Sequence, residues 1–190
     1  GWTEFETSWL ITERLRSLGL RVLLGRQVIN PAAVMGRDPK LVEAAIERAK
    51  ADGVPQSFID ETEGYTGVVA VLDTGRPGPV TAFRCDMDCV LVTESTDPSH
   101  VPTACGFASK RPGFMHACGH DSHSAVMLEV ARWLVDHKDE FKGTFKLLFQ
   151  PAEEGVRGAG SMAASGIVDD AKYLIGAHVG TFAHLGEIGI

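Results

Sequence analysis

The spacing of apolar residues divides the chain into alternating helices and strands. Phe5, Trp9, Leu10, Leu15 and Leu18 fall near helical spacing, so residues 3–18 read as a helix, with Gly19 suited to its C-cap. Arg21–Leu24 reads as a short strand, and Asn30-Pro31 breaks the chain. Asp38-Pro39 has the N-cap and first-turn residues of a helix start. Leu41, Val42, Ala45, Ile46 and Ala49 then carry an amphipathic helix to about Ala51, before Gly53 and Pro55. Gly67–Leu72 and Val80–Phe83 are apolar runs, and the turn-forming residues 74–79 between them predict a hairpin or adjacent strands.

Residues 93–114 hold Pro98, Pro102, Gly106, Pro112 and Gly113 and show no periodicity, the mark of a functional irregular segment. Ser122 to His137 is the best helix, with Val126, Met127, Val130, Leu134 and Val135 on its apolar face and Asp121 or Ser122 as cap. Thr144–Phe149 is a strand, a small-residue helix lies near Ala159–Ala164 and ends at Gly166, and Tyr173–Ala177 reads as a buried strand running into His178. Strands alternating with helices imply an α/β sandwich with a largely parallel sheet.

Composition narrows the function. The 190 residues are 44% hydrophobic and 23% charged, an ordinary globular mixture with no run long enough to span a bilayer. A net charge of −7 argues against nucleic acid or an anionic membrane as partner. It says little about small substrates, because a locally positive metal site can sit on an acidic protein. Gly1–Glu4 has neither the basic nor the apolar region of a signal peptide and no initiator Met, so the true N-terminus is expected upstream. Cys85, Cys89, Cys105 and Cys118 are too sparse for a disulfide scaffold, and the expectation is free or metal-bound thiols in a reducing cytoplasm.

The residues with metal-binding and acid–base chemistry cluster past strand ends or before helices. Asp86 and Asp88 follow one strand, Glu153 and Glu154 another, and His178 ends the last. His116, Cys118, His120, Asp121 and His123 precede a helix. Ligands bind at the carboxyl ends of strands in open α/β sheets, so four segments converge on one edge. A single Cys-x-His is more often a core Cys beside a helix cap, but three His, one Cys and one Asp between residues 116 and 123 favour a Zn²⁺-type site. Asp121 is a candidate to orient a ligand imidazole. Of Glu153 and Glu154, one carboxylate can bind metal while the other faces metal-activated water as general base, although acidic pairs on loops are usually just solvated. Asp86 and Asp88 either orient a ligand or cap a turn. A lone His at a strand end such as His178 is more often structural, and His100 and His184 read as surface residues.

The strings Phe114-Met115-His116-Ala117-Cys118-Gly119-His120-Asp121, Phe149-Gln150-Pro151-Ala152-Glu153-Glu154-Gly155 and Arg84-x-Asp86-Met87-Asp88 resemble the metal-dependent aminoacylase and carboxypeptidase (amidohydrolase) family. The resemblance covers nearly the whole chain. It implies a zinc-exopeptidase-like catalytic domain, a three-layer α/β sandwich with a mixed, largely parallel sheet. It also implies two divalent ions, Zn or Mn, with Cys118, His120, Glu154 and His178 as ligands. Glu153 would be the general base, and Asp88 would orient a ligand. Asp86 stands where other branches place a ligand His and is left out of the set. The implied reaction is hydrolysis of the amide bond of an N-acyl or N-aroyl amino acid, aminobenzoyl-glutamate foremost.

Family chains are about twice as long. Residues 1–190 are therefore expected to be one incomplete catalytic metal-binding domain. The last His ligand and a dimerisation domain would lie elsewhere, and an apolar surface would be exposed where the remainder packs. The complete protein would be a homo- or hetero-oligomer, and these residues alone weak or inactive. The competing reading is a non-catalytic metal-binding protein with a regulatory or assembly role, against which the spare carboxylate beside a ligand argues. A thiol enzyme built on Cys118 would need that thiolate free of metal.

Overall fold

The computed structural model describes residues 1–155, 157–180, 184 and 186–189. Five strands form one sheet: β1 (Arg21–Leu23), β2 (Val68–Asp73), β3 (Val80–Asp86), β4 (Thr144–Gln150) and β5 (Tyr173–Gly176). Their spatial order is β1-β2-β4-β3-β5. β1 pairs antiparallel with β2 and β2 with β4, whereas β3 runs parallel to both β4 and β5. The sheet is thus mixed, and its parallel part holds the strands named above as donors of candidate ligands.

β2 and β3 are neither a hairpin nor neighbours, because β4 lies between them. The loop joining them clasps the residue that leads into β4. Thr74 N donates to Gly143 O at 3.1 Å, Gly143 N to Arg76 O at 2.8 Å, and Thr144 N to Pro79 O at 3.1 Å. Gly143 has φ +83°, and a Cβ there would sit 2.0 Å from Pro79 O, so glycine is required for the clasp. Residues 74–79 do form a turn, but it closes around a third strand.

Helices α1 (Phe5–Ser17) and α5 (His120–Asp136) pack against each other, α1 over β1 and β2 and α5 over β3 and β4. Trp133 of α5 meets Phe141, which meets Phe145 of β4. The next residue, Lys146, points the other way and donates to Ile167 O at 2.7 Å, in the segment after α6 (Gly158–Ala163). Alternation along β4 therefore puts covering segments on both faces, giving three layers. α2 (Pro39–Ala51) has the expected Asp38 cap, with Lys40 N donating to its Oδ1 at 2.9 Å. α3 (Gln56–Thr62) and the one-turn α4 (Val101–Ala104) are not foreshadowed by the sequence pattern; both are too short to show a period.

Two further expectations change. α5 begins at His120, and its N-cap is Gly119 at φ +86°; neither Asp121 nor Ser122 caps it. Ser122 Oγ instead donates back to Gly119 O at 2.6 Å. Tyr173–Gly176 is an exposed edge strand rather than a buried one, with Leu174 61% exposed. Its apolar residues read as core, yet among the described residues nothing pairs beyond it. Val126 and Trp133 on the outer face of α5 are exposed as well. No helix among the described residues is long and apolar enough to cross a membrane.

Candidate metal centre

The carboxyl ends of β3, β4 and β5 lie together because the strands are parallel and in register, Asp86 opposite Gln150 and Arg84 opposite Gly176. Met87 N donates to Gln150 O at 3.1 Å, which keeps the two chain segments together one residue further. Beyond these ends come Asp88, Glu153–Glu154 and His178. The turn leading into α5 supplies Cys118, and the first turn of the helix His120 and His123. The irregular segment before it is tied at its base by Val90 and Met115, whose backbones exchange hydrogen bonds of 3.1 and 3.2 Å.

His120 is fully buried, and its tautomer follows from its partner. Nδ1 lies 2.9 Å from Asp88 O, a carbonyl that can only accept, so Nδ1 carries a proton and the neutral ring has its lone pair on Nε2. Among the described residues that Nε2 has no hydrogen-bond partner, nor has the buried Asp88 Oδ1. Both Glu153 and Glu154 bring a carboxylate oxygen to 3.9 Å from Nε2. Ligand atoms of Cys118, His120 and Glu154 lie within 4.8 Å of one another. An orphaned imidazole lone pair facing thiol and carboxylates is what a Zn²⁺-like cation would satisfy, so these residues fit a metal.

His178 stands in a second grouping, with Asp86, His120 and His123, whose ligand atoms also lie within 4.8 Å of one another. It is linked to the first by Cys118, whose Sγ is 3.5 Å from His178 Nε2. His178 Nδ1 faces Val179 O, so its Nε2 is likewise the available donor. Asp88 touches two predicted ligands: its carbonyl holds His120, and its Oδ2 accepts Glu154 N at 3.0 Å. Among the described residues Asp121 orients no imidazole; it is exposed and accepts only the neighbouring Ser122 N. His116 and His184 are exposed, and His100 pairs with Glu94 at 2.9 Å.

Two residues here carry more than their spacing indicated. Asp86 lies at 2.5 Å from His123 Nδ1 and 2.8 Å from Arg84 Nη1, and both Asp86 and His123 are buried. Burial opposes the Asp86 carboxylate, but the hydrogen bond from His123, with Arg84 and His120, outweighs it and holds its pKa below the ordinary value. Glu4 is distant in sequence from every motif, yet it is buried and accepts Trp2 N at 2.9 Å, Thr66 Oγ1 at 2.6 Å and Ala152 N at 3.3 Å. Ala152 has φ +51° and directly precedes Glu153. No local pattern marks Glu4, since two of its partners are remote in sequence.

The thiols differ in setting. Burial, then the adjacent Asp86 charge, pushes the Cys85 thiol up to about 12. Burial, with Glu4 and Asp88, raises Cys89. Both stay protonated near neutral pH and are poor nucleophiles. Cys118 is raised too, by burial and then by Glu154 and Glu153, a repulsion that a cation between them would cancel.

Among known proteins, a Haemophilus influenzae homolog of one component of p-aminobenzoyl-glutamate hydrolase is 48% identical over 189 residues, covering 99% of this chain and 45% of that protein. An indole-3-acetyl-aspartic acid hydrolase of Enterobacter agglomerans is 46% identical over 190 residues, covering 99% of this chain and 44% of its own. The chain thus spans less than half the length of these relatives. The crystal structure of an aminobenzoyl-glutamate utilization protein from Klebsiella pneumoniae superposes with a TM-score of 0.76 at 38% identity, over 97% of this chain and 40% of that one. A Bacillus subtilis dinuclear metal binding peptidase of the M20 family superposes with a TM-score of 0.64 at 30% identity, over 92% of this chain and 37% of that one. A family profile matches residues 82–190, the stretch that holds most of β3, all of β4 and β5 and every candidate donor of the rim; by that match the chain belongs to peptidase family M20/M25/M40.

Proposed function

We propose that residues 1–190 are the metal-binding catalytic portion of an amidohydrolase that cleaves the amide bond of an N-acyl or N-aroyl amino acid, aminobenzoyl-glutamate foremost. The unpaired, buried Nε2 of His120 facing Cys118, Glu153 and Glu154 carries this reading. Two relatives bear the names of hydrolases of an aroyl-glutamate and an indole-acetyl-aspartate, so an acidic amino acid is the shared part of the substrate.

Cys118, His120, Glu154 and His178 would hold two divalent ions, Zn or Mn, in keeping with the dinuclear Bacillus relative. Bound there, such ions would supply Lewis acidity to polarise a carbonyl and to make water a nucleophile at neutral pH. Asp88 fixes the ring of His120 and the backbone of Glu154. Glu153 lies on the same side of His120 as Glu154 and is the spare carboxylate. It takes the proton of the attacking water and passes it to the departing amine. A last His ligand and a dimerisation domain would come from the rest of the protein, which would act as an oligomer. The four thiols, none in a disulfide, suit a reducing cytoplasm.

The test is release of glutamate from aminobenzoyl-glutamate by the complete protein loaded with Zn²⁺ or Mn²⁺. Glu153→Ala should abolish turnover while bound metal, measured by elemental analysis, is unchanged. Retained turnover would remove Glu153 from the mechanism. One closed ion and no turnover would favour a non-catalytic, regulatory or assembly role.

A further inference from the structure

We infer that Asp86 and His123 are not metal ligands but a positioning relay that holds the His178 loop against the metal centre. This deepens the metal-site reading above and rests on it. Val179 N donates to His123 Nε2 at 2.9 Å. A backbone N–H only donates, so Nε2 carries a lone pair and the proton of the neutral ring sits on Nδ1. Nδ1–H then donates to Asp86 Oδ1 at 2.5 Å. Both nitrogens of His123 are thereby used within the protein. The other oxygen of Asp86 is used too, by Arg84 Nη1 at 2.8 Å, and Arg84 Nε donates to Gln150 Oε1 at 2.7 Å. Gln150 is the last residue of β4, so the relay is anchored in the sheet.

Its other end is the residue after His178. The ring of His123 also meets the ring of His178 edge to face, with centroids 4.5 Å apart. Backbone and ring of the His178 loop are thus both set by His123. His178 itself follows an exposed edge strand and is exposed, so β5 alone does not fix it. His120 presents the opposite case: the same tautomer, but an Nε2 with no partner. The four residues Asp86, His120, His123 and His178 look like one ligand set by distance. Hydrogen bonding divides them: among the described residues His120 and His178 each keep a ring nitrogen with a lone pair to offer, His123 keeps none, and each Asp86 oxygen is already engaged, one by His123 and one by Arg84. An ion taken by His123 Nε2 would have to displace the Val179 amide and release the loop that carries His178.

The test uses the complete protein, labelled with ¹⁵N-histidine and loaded with ¹¹³Cd²⁺. Ring-nitrogen spectra should show ¹¹³Cd coupling at His120 and His178. His123 should show a protonated Nδ1, an unprotonated Nε2 and no coupling. Coupling at His123, or its proton on Nε2, overturns the relay. A second arm measures Cd²⁺ affinity by competition with a chelator. His123→Phe and Asp86→Asn should each weaken binding about 10- to 100-fold, the usual effect of removing a group that orients a ligand. Adding His178→Ala to His123→Phe should cost less than His178→Ala costs alone, because the relay acts through that ligand. Fully additive losses, or unchanged affinity, overturn it. The spectra need no substitution, so a variant that misfolds leaves the test intact. A wild type that binds no Cd²⁺ sinks the metal site and the relay together. Coupling at His120 with unaltered affinity in the His123 variant sinks the relay alone.

Discussion

The carboxylate of Glu4 accepts the amide of Ala152 across a separation of 148 residues. The same carboxylate holds Trp2 N and Thr66 Oγ1, so three donors depend on one buried acid. Glu4→Ala leaves those donors without a partner and should lower stability by about 1–3 kcal/mol, read by denaturant unfolding. Because Ala152 is held in a left-handed conformation beside Glu153, turnover should fall as well, with KM little changed.

Metal should stabilise the fold. An ion that binds only the native state adds roughly 2.7 kcal/mol at a free concentration of 100 Kd. Thermal melts with Zn²⁺ or Mn²⁺ should therefore rise above those with chelator. His120→Ala should abolish the increment, since it removes the central donor.

Metal affinity should increase with pH. In the absence of an ion, burial and the carboxylates of Glu154 and Glu153 raise the Cys118 pKa. The thiol is therefore protonated at neutral pH, whereas the metal needs the thiolate. Binding releases that proton, so below the raised pKa affinity climbs roughly tenfold per pH unit on account of Cys118 alone. Calorimetry in two buffers of different ionisation enthalpy counts the protons released. Cys118→Ser should reduce the count by one.

Asp86 should matter to the acid limit. Its folded pKa is lower than its unfolded one, so its stabilisation is present above the unfolded value and lost as pH falls through the folded value. Asp86→Asn should lower stability at neutral pH, and the difference from wild type should shrink in strong acid. Urea unfolding at both pH values measures this.

Gly143→Ala should damage the sheet more than any surface change. The positive φ alone costs about 1–3 kcal/mol for a residue with a Cβ, and the contact with Pro79 O is with backbone that cannot rotate away. Circular dichroism with denaturant unfolding would show the loss. A neutral outcome would mean that the clasp around β4 is dispensable.

The periodicity of Phe5–Leu18, of residues 39–51 and of α5 makes these helices legible, because each buries one apolar stripe. Strand order is not legible: β2 and β3 read as partners since the 74–79 turn hides the return of β4 between them. β5 reads as core because apolar content reports what a strand can bury, not what the described residues place upon it. At the site, the motifs bring Cys118, His120 and Glu154 forward, His178 is implied only by the family resemblance, and the fold brings the four to one rim. The Asp86–His123 contact and the reach of Glu4 cannot be read in advance, because both depend on how separate elements stack.

The parallel registers of β3, β4 and β5 have a consequence for how the protein acquires its ions. Donors from positions 118, 120, 154 and 178 meet only where those strand ends already lie side by side. Parallel pairing closes long loops and is intrinsically slow to form. Refolding rates should accordingly be independent of Zn²⁺, in contrast to small zinc modules that need the ion to fold at all. On the proposed reading the ion would be a guest admitted after the house is built: metal scarcity would leave finished molecules with an empty site, which a later supply could fill without a new round of folding.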